Sequence, residues 1–206
     1  MLSKIQVQVV LAVAVLAWAV MLFVEGVHLK AAYLKPYSVV VTVVVIGMIL
    51  FDRWLWRIPP MPRLLRCPVI SGTWKGTIQS SWKDPATQER IDPVVAYFAI
   101  RQTYSTISLR MLSEESRSES LVAALERRVN SIPRLTSTYE NTPGVLIQDQ
   151  SRIHHGALLL EVHGMPANRL TGWYWTDRDT KGEVVLRQHT HKVFTRFEDA
   201  DGAIWS

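Results

Sequence analysis

The stretch SGTWKGTIQ, residues 71–79, alternates small or apolar residues with polar ones. Gly72, Trp74, Gly76 and Ile78 hold every second position, and threonine, lysine and glutamine fill the positions beside them. A period of two predicts a β-strand with one buried face. Because the flanking glycines let a neighbouring backbone approach the strand, we interpret Trp74 as a core plug rather than a ligand platform.

Seven further segments after this strand show the same strand-like character. They span residues 94–101, 106–112, 121–128, 135–139, 153–162, 170–178 and 183–190. Turn signals separate them, and none has a long helical period, although the composition of 121–128 also suits a helix. The pattern predicts a sandwich or a barrel, and the short sequential connections favour a small, roughly eight-stranded antiparallel β-barrel.

The residues before the strands are strongly apolar. Residues 5–24 form a charge-free run long enough to cross a bilayer, and longer than the apolar core of a cleaved signal peptide. A second run over 37–51 is β-branched, but its length exceeds that of a typical strand. Lys35 and Arg53 flank this second run, where their charges can reach lipid headgroups. The sequence therefore predicts a membrane hairpin of two transmembrane helices.

Charge divides the chain in the same place. Residues 1–66 hold seven lysines and arginines against two acids, so this third carries the whole net charge of +5. The remainder is neutral, which argues against a domain that binds DNA or RNA. The basic residues after the second run place both termini in the cytoplasm, by the positive-inside rule. We therefore predict a hairpin over 1–57, a stiff, non-helical proline-rich linker over 58–66, and a cytoplasmic β-barrel ligand-sensing domain over 67–206.

No motif supports catalysis, and the sequence predicts a protein that is not an enzyme. It has no nucleophile elbow, zinc-protease helix or phosphate-binding loop. The only cysteine, Cys67, excludes an internal disulfide. His189 and His191 share a strand face that His155 could join, but their spacing announces no metal site, so we predict no metal and no cofactor.

Two motifs within this architecture carry a family resemblance. They are SGTWKG at residues 71–76 and LTGWYWTDR at residues 170–178, which leads into Lys181, Gly182 and Glu183. With the two membrane helices before them, they resemble the two-transmembrane β-barrel effectors of bacterial cyclic-oligonucleotide anti-phage systems (CBASS). The resemblance implies that a partner nucleotidyltransferase makes a cyclic dinucleotide on infection. The barrel would then bind this ligand, form a homo-oligomer and disrupt the inner membrane through its hairpins.

Such a ligand needs flat surfaces for two bases and donors for two phosphates. Aromatic faces and arginine guanidinium groups supply both. We therefore predict ligand-binding roles for the following residues: Arg101, Tyr104, Arg110, Tyr139, Tyr174 and Arg178.

Two alternatives remain open from the sequence. One is a membrane-anchored, lipocalin-like binding protein for a small apolar ligand, and the other is an anchored enzyme. Arginines that point into the barrel would favour the nucleotide, whereas an all-apolar interior would favour the carrier. A register slip of one residue exchanges the two faces of a strand, so the sequence leaves the choice open.

Overall fold

The computed structural model describes residues 15–16, 18–20, 23–24, 31–83, 87–127, 131–145 and 152–205, with only the backbone at 31–40. The chain divides into two compact units, Met1–Trp56 and Arg57–Ser206.

In the first unit, helix α1 (Ala31–Arg53) contains the second apolar run, which is helical as predicted and not a strand. Most of the first run, residues 5–24, lies outside the described residues. Within the part of the chain that the structure describes, no helix combines the length and the hydropathy needed to span a bilayer.

The predicted linker contains a short helix, although it holds three prolines. A 3-10 turn, Leu55–Arg57, precedes it, and a four-residue helix, α2 (Met61–Leu64), lies within it. Pro62 lies in the first turn of α2, where its missing N–H breaks no helical hydrogen bond. The Cys67 N–H then donates to the Pro62 carbonyl at 2.9 Å. The prediction of a non-helical linker over 58–66 is therefore wrong at this turn.

The second unit is a closed barrel of eight antiparallel strands in sequence order, as predicted, with β8 paired to β1. The strands are β1 (Gly72–Ser80), β2 (Val94–Gln102), β3 (Ile107–Leu112), β4 (Ser116–Glu126), β5 (Arg134–Pro143), β6 (His154–His163), β7 (Arg169–Thr176) and β8 (Lys181–Thr190). A five-residue helix, α3 (Phe197–Asp201), follows them.

Strand β4 differs most from the prediction. It begins at Ser116 rather than at 121, so residues 116–120, which lie between two predicted segments, belong to the sheet. Its pairing with β5 shifts register between Ser120 and Val122, which marks a β-bulge. A bulge adds one residue and exchanges the faces of the strand beyond it. The inward positions are therefore even-numbered before the bulge and odd-numbered after it.

Trp74 closes one end of the barrel, as the sequence predicts. Its side chain is fully buried, and its Nε1–H donates to the Ile70 carbonyl at 2.9 Å. The His189 ring lies 4.4 Å from the indole, and burial lowers the pKa of this imidazole. The side chains packed in this core include Ile70, Ile100, Leu135, Leu160, Leu170 and Leu186.

The C-terminal segment covers part of the outer wall. Tyr97 points outward from β2, yet it is buried in a cluster with Phe194 and Ala200. Its hydroxyl donates to Asp201 Oδ1 at 2.6 Å. Because the segment covers the outer face, both faces of β2 are buried along the middle of the strand. This is why the sequence of β2 is a nearly continuous apolar run.

Replacing Trp74 with alanine tests the plug. We expect Trp74→Ala to lower the free energy of unfolding by about 3–5 kcal/mol, because the change leaves a cavity in a packed core. The matched control is Trp173→Ala, whose side chain is 47% exposed on the outer wall. It should shift stability by no more than about 0.5 kcal/mol. Urea unfolding of the full chain in detergent, followed by far-UV circular dichroism, measures both, and equal losses would refute the plug.

Candidate ligand-binding site

A cavity of about 550 Å³ occupies the end of the barrel opposite the Trp74 plug. All eight strands contribute to its walls, and its deepest apolar contacts include Phe98, Leu109 and Leu158. It opens at the end of the barrel where β1, β3, β5 and β7 end, and Ile91, Ser113 and Thr180 of the connections there line it. Its volume lies within the range of roughly 300–1,000 Å³ that is typical of small-molecule sites.

One side of the cavity is apolar. Its inward side chains come from β1, β2, β3 and β8: Ile78, Val94, Phe98, Leu109, Met111 and Val184. Such a surface suits the faces of flat or aliphatic ligand groups, because it forms no hydrogen bonds.

The facing side is polar. Strand β4 supplies Ser116, Ser118 and Ser120 at alternate inward positions, and β5 supplies Asn141. The Ser118 hydroxyl donates to Asn141 Oδ1 at 2.7 Å, and the Leu109 N–H donates to Ser120 Oγ at 2.9 Å. In a ring of eight strands, β4 and β5 lie across from β8 and β1. The cavity therefore sets hydroxyl and amide groups against hydrocarbon.

Two tyrosines complete the interior, each over a glycine of a neighbouring strand. A Cβ on Gly156 would lie 2.5 Å from the Tyr139 ring, and one on Gly182 would lie 2.6 Å from the Tyr174 ring. Only glycine leaves room for these rings. Burial, with smaller contributions from Tyr174 and Asp177, raises the pKa of Tyr139. The Tyr139 phenol therefore remains protonated at neutral pH and keeps a hydrogen-bond donor in the cavity.

The rim combines hydroxyl groups, a histidine and two acids. Thr176 and Thr180 join across the β7–β8 turn with their Oγ1 atoms 2.6 Å apart, and both line the cavity. His154, Glu114 and Glu115 lie at the same mouth. Among the described lining residues there is no lysine or arginine.

The six predicted site residues do not come together. Tyr139 and Tyr174 line the cavity. Arg178 lies in the β7–β8 turn at the rim, because β7 ends at Thr176 rather than at 178. Tyr104 lies in the β2–β3 connection at the plugged end, where its ring contacts the Arg127 guanidinium at 5.0 Å.

Arg101 and Arg110 point away from the cavity. The alternation of β3 turns Leu109 and Met111 inward, so Arg110 faces out. It forms an ion pair with Glu119, with 3.0 Å between Nη2 and Oε1. Arg101 is exposed on β2. The polar face of β3, which carries Ser108 and Arg110, therefore belongs to the outer wall.

Sequence reasoning missed the serine row and Asn141. The signal was present, because Ser116, Ser118 and Ser120 alternate with charged residues at the strand period. The acids beside them, Glu114, Glu115 and Glu119, are also typical of a solvated turn, and the predicted segments therefore leave residues 113–120 out. Asn141 falls just beyond the predicted segment 135–139, since β5 continues to Pro143.

The three histidines considered for a metal do not come together, because His155 lies apart from the other two. His189 and His191 are close at the plugged end, with ring centroids 5.1 Å apart. His155 lies on the outer wall between Glu140 and Asp177, at 3.3 and 3.7 Å. Within the described ranges, no group of three or more histidine, cysteine or acidic residues could hold a metal ion.

These features define a ligand-binding β-barrel, closed at one end and open at the other, with a cavity of mixed polarity. Residues 65–188 match the family model described as "Cap15, cyclic dinucleotide receptor domain", and the chain belongs to this family. The chain is also 24% identical, over 160 residues, to the "CD-NTase-associated protein 15" of Staphylococcus schleiferi. That match covers 77% of this chain and 82% of the relative. The resemblance to the CBASS effector family is thereby confirmed.

Proposed function

We propose that this protein is a CBASS effector whose barrel cavity binds a cyclic dinucleotide made by a partner nucleotidyltransferase. The observation that carries the proposal is the cavity of about 550 Å³, which lies inside the domain matched by the receptor family. In this account the ligand is an activating signal that is bound and not converted. The protein is then a receptor that needs no cofactor, and it is not an enzyme.

The cavity suits the parts of such a ligand. The apolar side and the rings of Tyr139 and Tyr174 supply surfaces for base faces, which stack on aromatic side chains. The serine hydroxyls and the Asn141 amide supply hydrogen bonds for base edges and ribose. A cyclic dinucleotide contains both kinds of group within one compact ring.

The phosphates have a different place in this proposal. Since no described lining residue is a lysine or an arginine, we place the phosphates at the rim. Arg178 lies in the rim turn between Thr176 and Thr180, and the β1–β2 connection at the same end carries Lys83 and Arg90 as bridged partners. Guanidinium groups and hydroxyls are common phosphate ligands.

The apolar carrier is the second candidate, and two observations favour it: the hydrocarbon side of the cavity, and the lack of an inward arginine among the described lining residues. The serine row argues against it, because an apolar ligand would bury these hydroxyls and the Asn141 amide without replacing the hydrogen bonds of water. Burying a polar group unpaired costs roughly 1–3 kcal/mol in proteins. A polar ligand with apolar faces satisfies both sides.

The output in this proposal is mechanical. Residues 1–57 form a two-helix hairpin in the inner membrane, with both termini in the cytoplasm. Ligand gathers copies of the chain into a homo-oligomer, and the gathered hairpins disrupt the bilayer. The support is the charge-free run at 5–24, the apolar run within α1 and the basic flank at 53–66. Ligand can drive assembly only if it binds the oligomer more tightly than the monomer.

Calorimetry tests the cavity directly. The full chain in detergent is titrated with the 3′,3′-linked cyclic dinucleotides of A, C, G and U. We expect at least one to bind with a Kd of about 1 µM or tighter. Tyr174→Ala should lower the affinity for that ligand by about ten-fold or more, because the variant lacks a stacking surface.

The structure supplies two matched controls for this titration. Trp175→Ala removes an exposed aromatic from the next position on β7, and Arg110→Ala removes an outward arginine. Both should bind as the wild type does. If no ligand of the panel binds, or if Arg110→Ala loses as much affinity as Tyr174→Ala, the cavity is not the receptor site.

Dye uptake by living cells tests the output. We expect bacteria expressing the full chain with its ligand-making partner to admit a membrane-impermeant dye, because gathered hairpins break the inner membrane. A chain whose residues 1–57 are replaced by one unrelated membrane span should bind ligand without dye uptake. If this replacement admits dye equally, the hairpin is only a tether. If no dye enters despite confirmed binding, the membrane output is refuted.

A further inference from the structure

Ser118 and Asn141 form the most buried polar pair of the cavity. They are direct partners in the β4–β5 register, and their exposed fractions are only 4% and 5%. Both line the cavity. The hydroxyl hydrogen of Ser118 is used, because Ser118 Oγ donates to Asn141 Oδ1 at 2.7 Å.

This hydrogen bond fixes what the pair offers to a ligand. With Oδ1 engaged, the remaining group of the Asn141 amide is Nδ2, which donates. Nδ2 has no hydrogen-bond partner among the residues that the structure describes. Beside it, Ser118 Oγ keeps lone pairs that accept. The pair therefore presents one donor next to one acceptor on the polar side of the cavity.

A phosphate does not match this pattern. Its oxygens only accept, so they would satisfy Nδ2 but face the lone pairs of Ser118 Oγ. The base-pairing edge of a nucleobase does match, because it sets an acceptor beside a donor. Adenine offers its ring N1 beside the 6-amino group, and cytosine its N3 beside the 4-amino group. Guanine and uracil offer a carbonyl beside a ring N–H.

We propose that Ser118 and Asn141 bind the edge of one nucleobase of the ligand. This inference rests on the proposed function and deepens it, since it names the part of the cyclic dinucleotide that contacts the buried pair. One base lies between the apolar side and the tyrosines, with its edge at the pair. The phosphates remain at the rim, and the ligand is bound asymmetrically, because the described lining residues include one amide–hydroxyl pair of this kind.

Single alanine variants of Ser118 and Asn141 test the pair. Their effect is measured on the order of affinities across the ligand panel, and not on one affinity alone. Ser118→Ala and Asn141→Ala should each lower the affinity for the preferred cyclic dinucleotide by about ten-fold. They should also reduce the ratio of this affinity to the affinities for the other members of the panel. The matched control is Ser137→Ala, a serine that is 5% exposed on β5. Ser137 Oγ donates to the Val122 carbonyl at 3.0 Å and lies outside the cavity, so its loss should leave the ranking unchanged.

Asn141→Asp tests the donor specifically. A carboxylate still accepts from Ser118 but replaces the Nδ2 donor with a second acceptor. Two adjacent acceptors fit the ring N–H and 2-amino group of guanine. The ratio of affinities should therefore shift toward guanine-bearing ligands, even where overall affinity falls because of the added charge.

Modified ligands test the same contact with the wild-type chain, so this result does not depend on how the variants fold. Each distinct base of the preferred ligand is replaced by benzimidazole, which keeps the shape of a purine without its edge groups, and a further ligand carries benzimidazole at both positions. The wild-type chain should lose about ten-fold in affinity when both bases are replaced, and much less for at least one ligand with a single replacement, because the remaining base can still reach the pair.

The outcomes separate the two proposals. If Ser118→Ala and Asn141→Ala weaken the binding of every ligand by the same factor, while the ligand with both bases replaced binds as tightly as its parent, the pair contacts phosphate or ribose and the inference is overturned. Unchanged affinities of both variants, or a loss for every single replacement as large as the loss for the double replacement, overturn it as well. If the wild-type chain binds none of the panel, the proposed function itself fails. Circular dichroism of each variant confirms that the fold is intact.

Discussion

Closure of eight strands into a barrel leaves an interior that is just wide enough for side chains to fill. A cavity then exists only where the inward residues are small or short. At the plugged end Trp74 and a set of leucines pack into a buried core. At the open end, serines replace large residues on β4, and two glycines leave room for the tyrosine rings. The distribution of side-chain volume along the barrel axis therefore places the cavity at the open end.

The bulge in β4 lets one strand serve both ends. Before it, the inward positions are serines that line the cavity. After it, Ala123 and Leu125 turn inward and pack against the core of the plugged end. Without the extra residue, the alternation of the strand would turn one of these two sets outward. The same parity rule places Arg110 on the outer wall, where Glu119 pairs with it.

Much of the barrel could be predicted from local patterns, and much of the site could not. The period of two located the strands, and Trp74 between two glycines marked the plug correctly. The serine row followed the same period, but the charges beside it also suit a turn, and only pairing with β5 distinguishes them. The inward or outward direction of each arginine depends on register and on where β7 ends at Thr176, and both follow from contacts between distant segments. The Ser118–Asn141 pair joins residues of different strands, so no single segment reveals it.

Methyl NMR of the full chain in detergent tests the central claim, that the open cavity is the receptor site. With labelled methyl groups, adding the preferred cyclic dinucleotide should shift Met111, Leu158 and Val184, whose side chains line the cavity. The aromatic rings of a bound base cause such shifts at short range, so the methyl groups of Leu135 in the plugged core should move little. Shifts confined to outward residues such as Val95 and Val122, with the cavity methyl groups unchanged, would contradict the account.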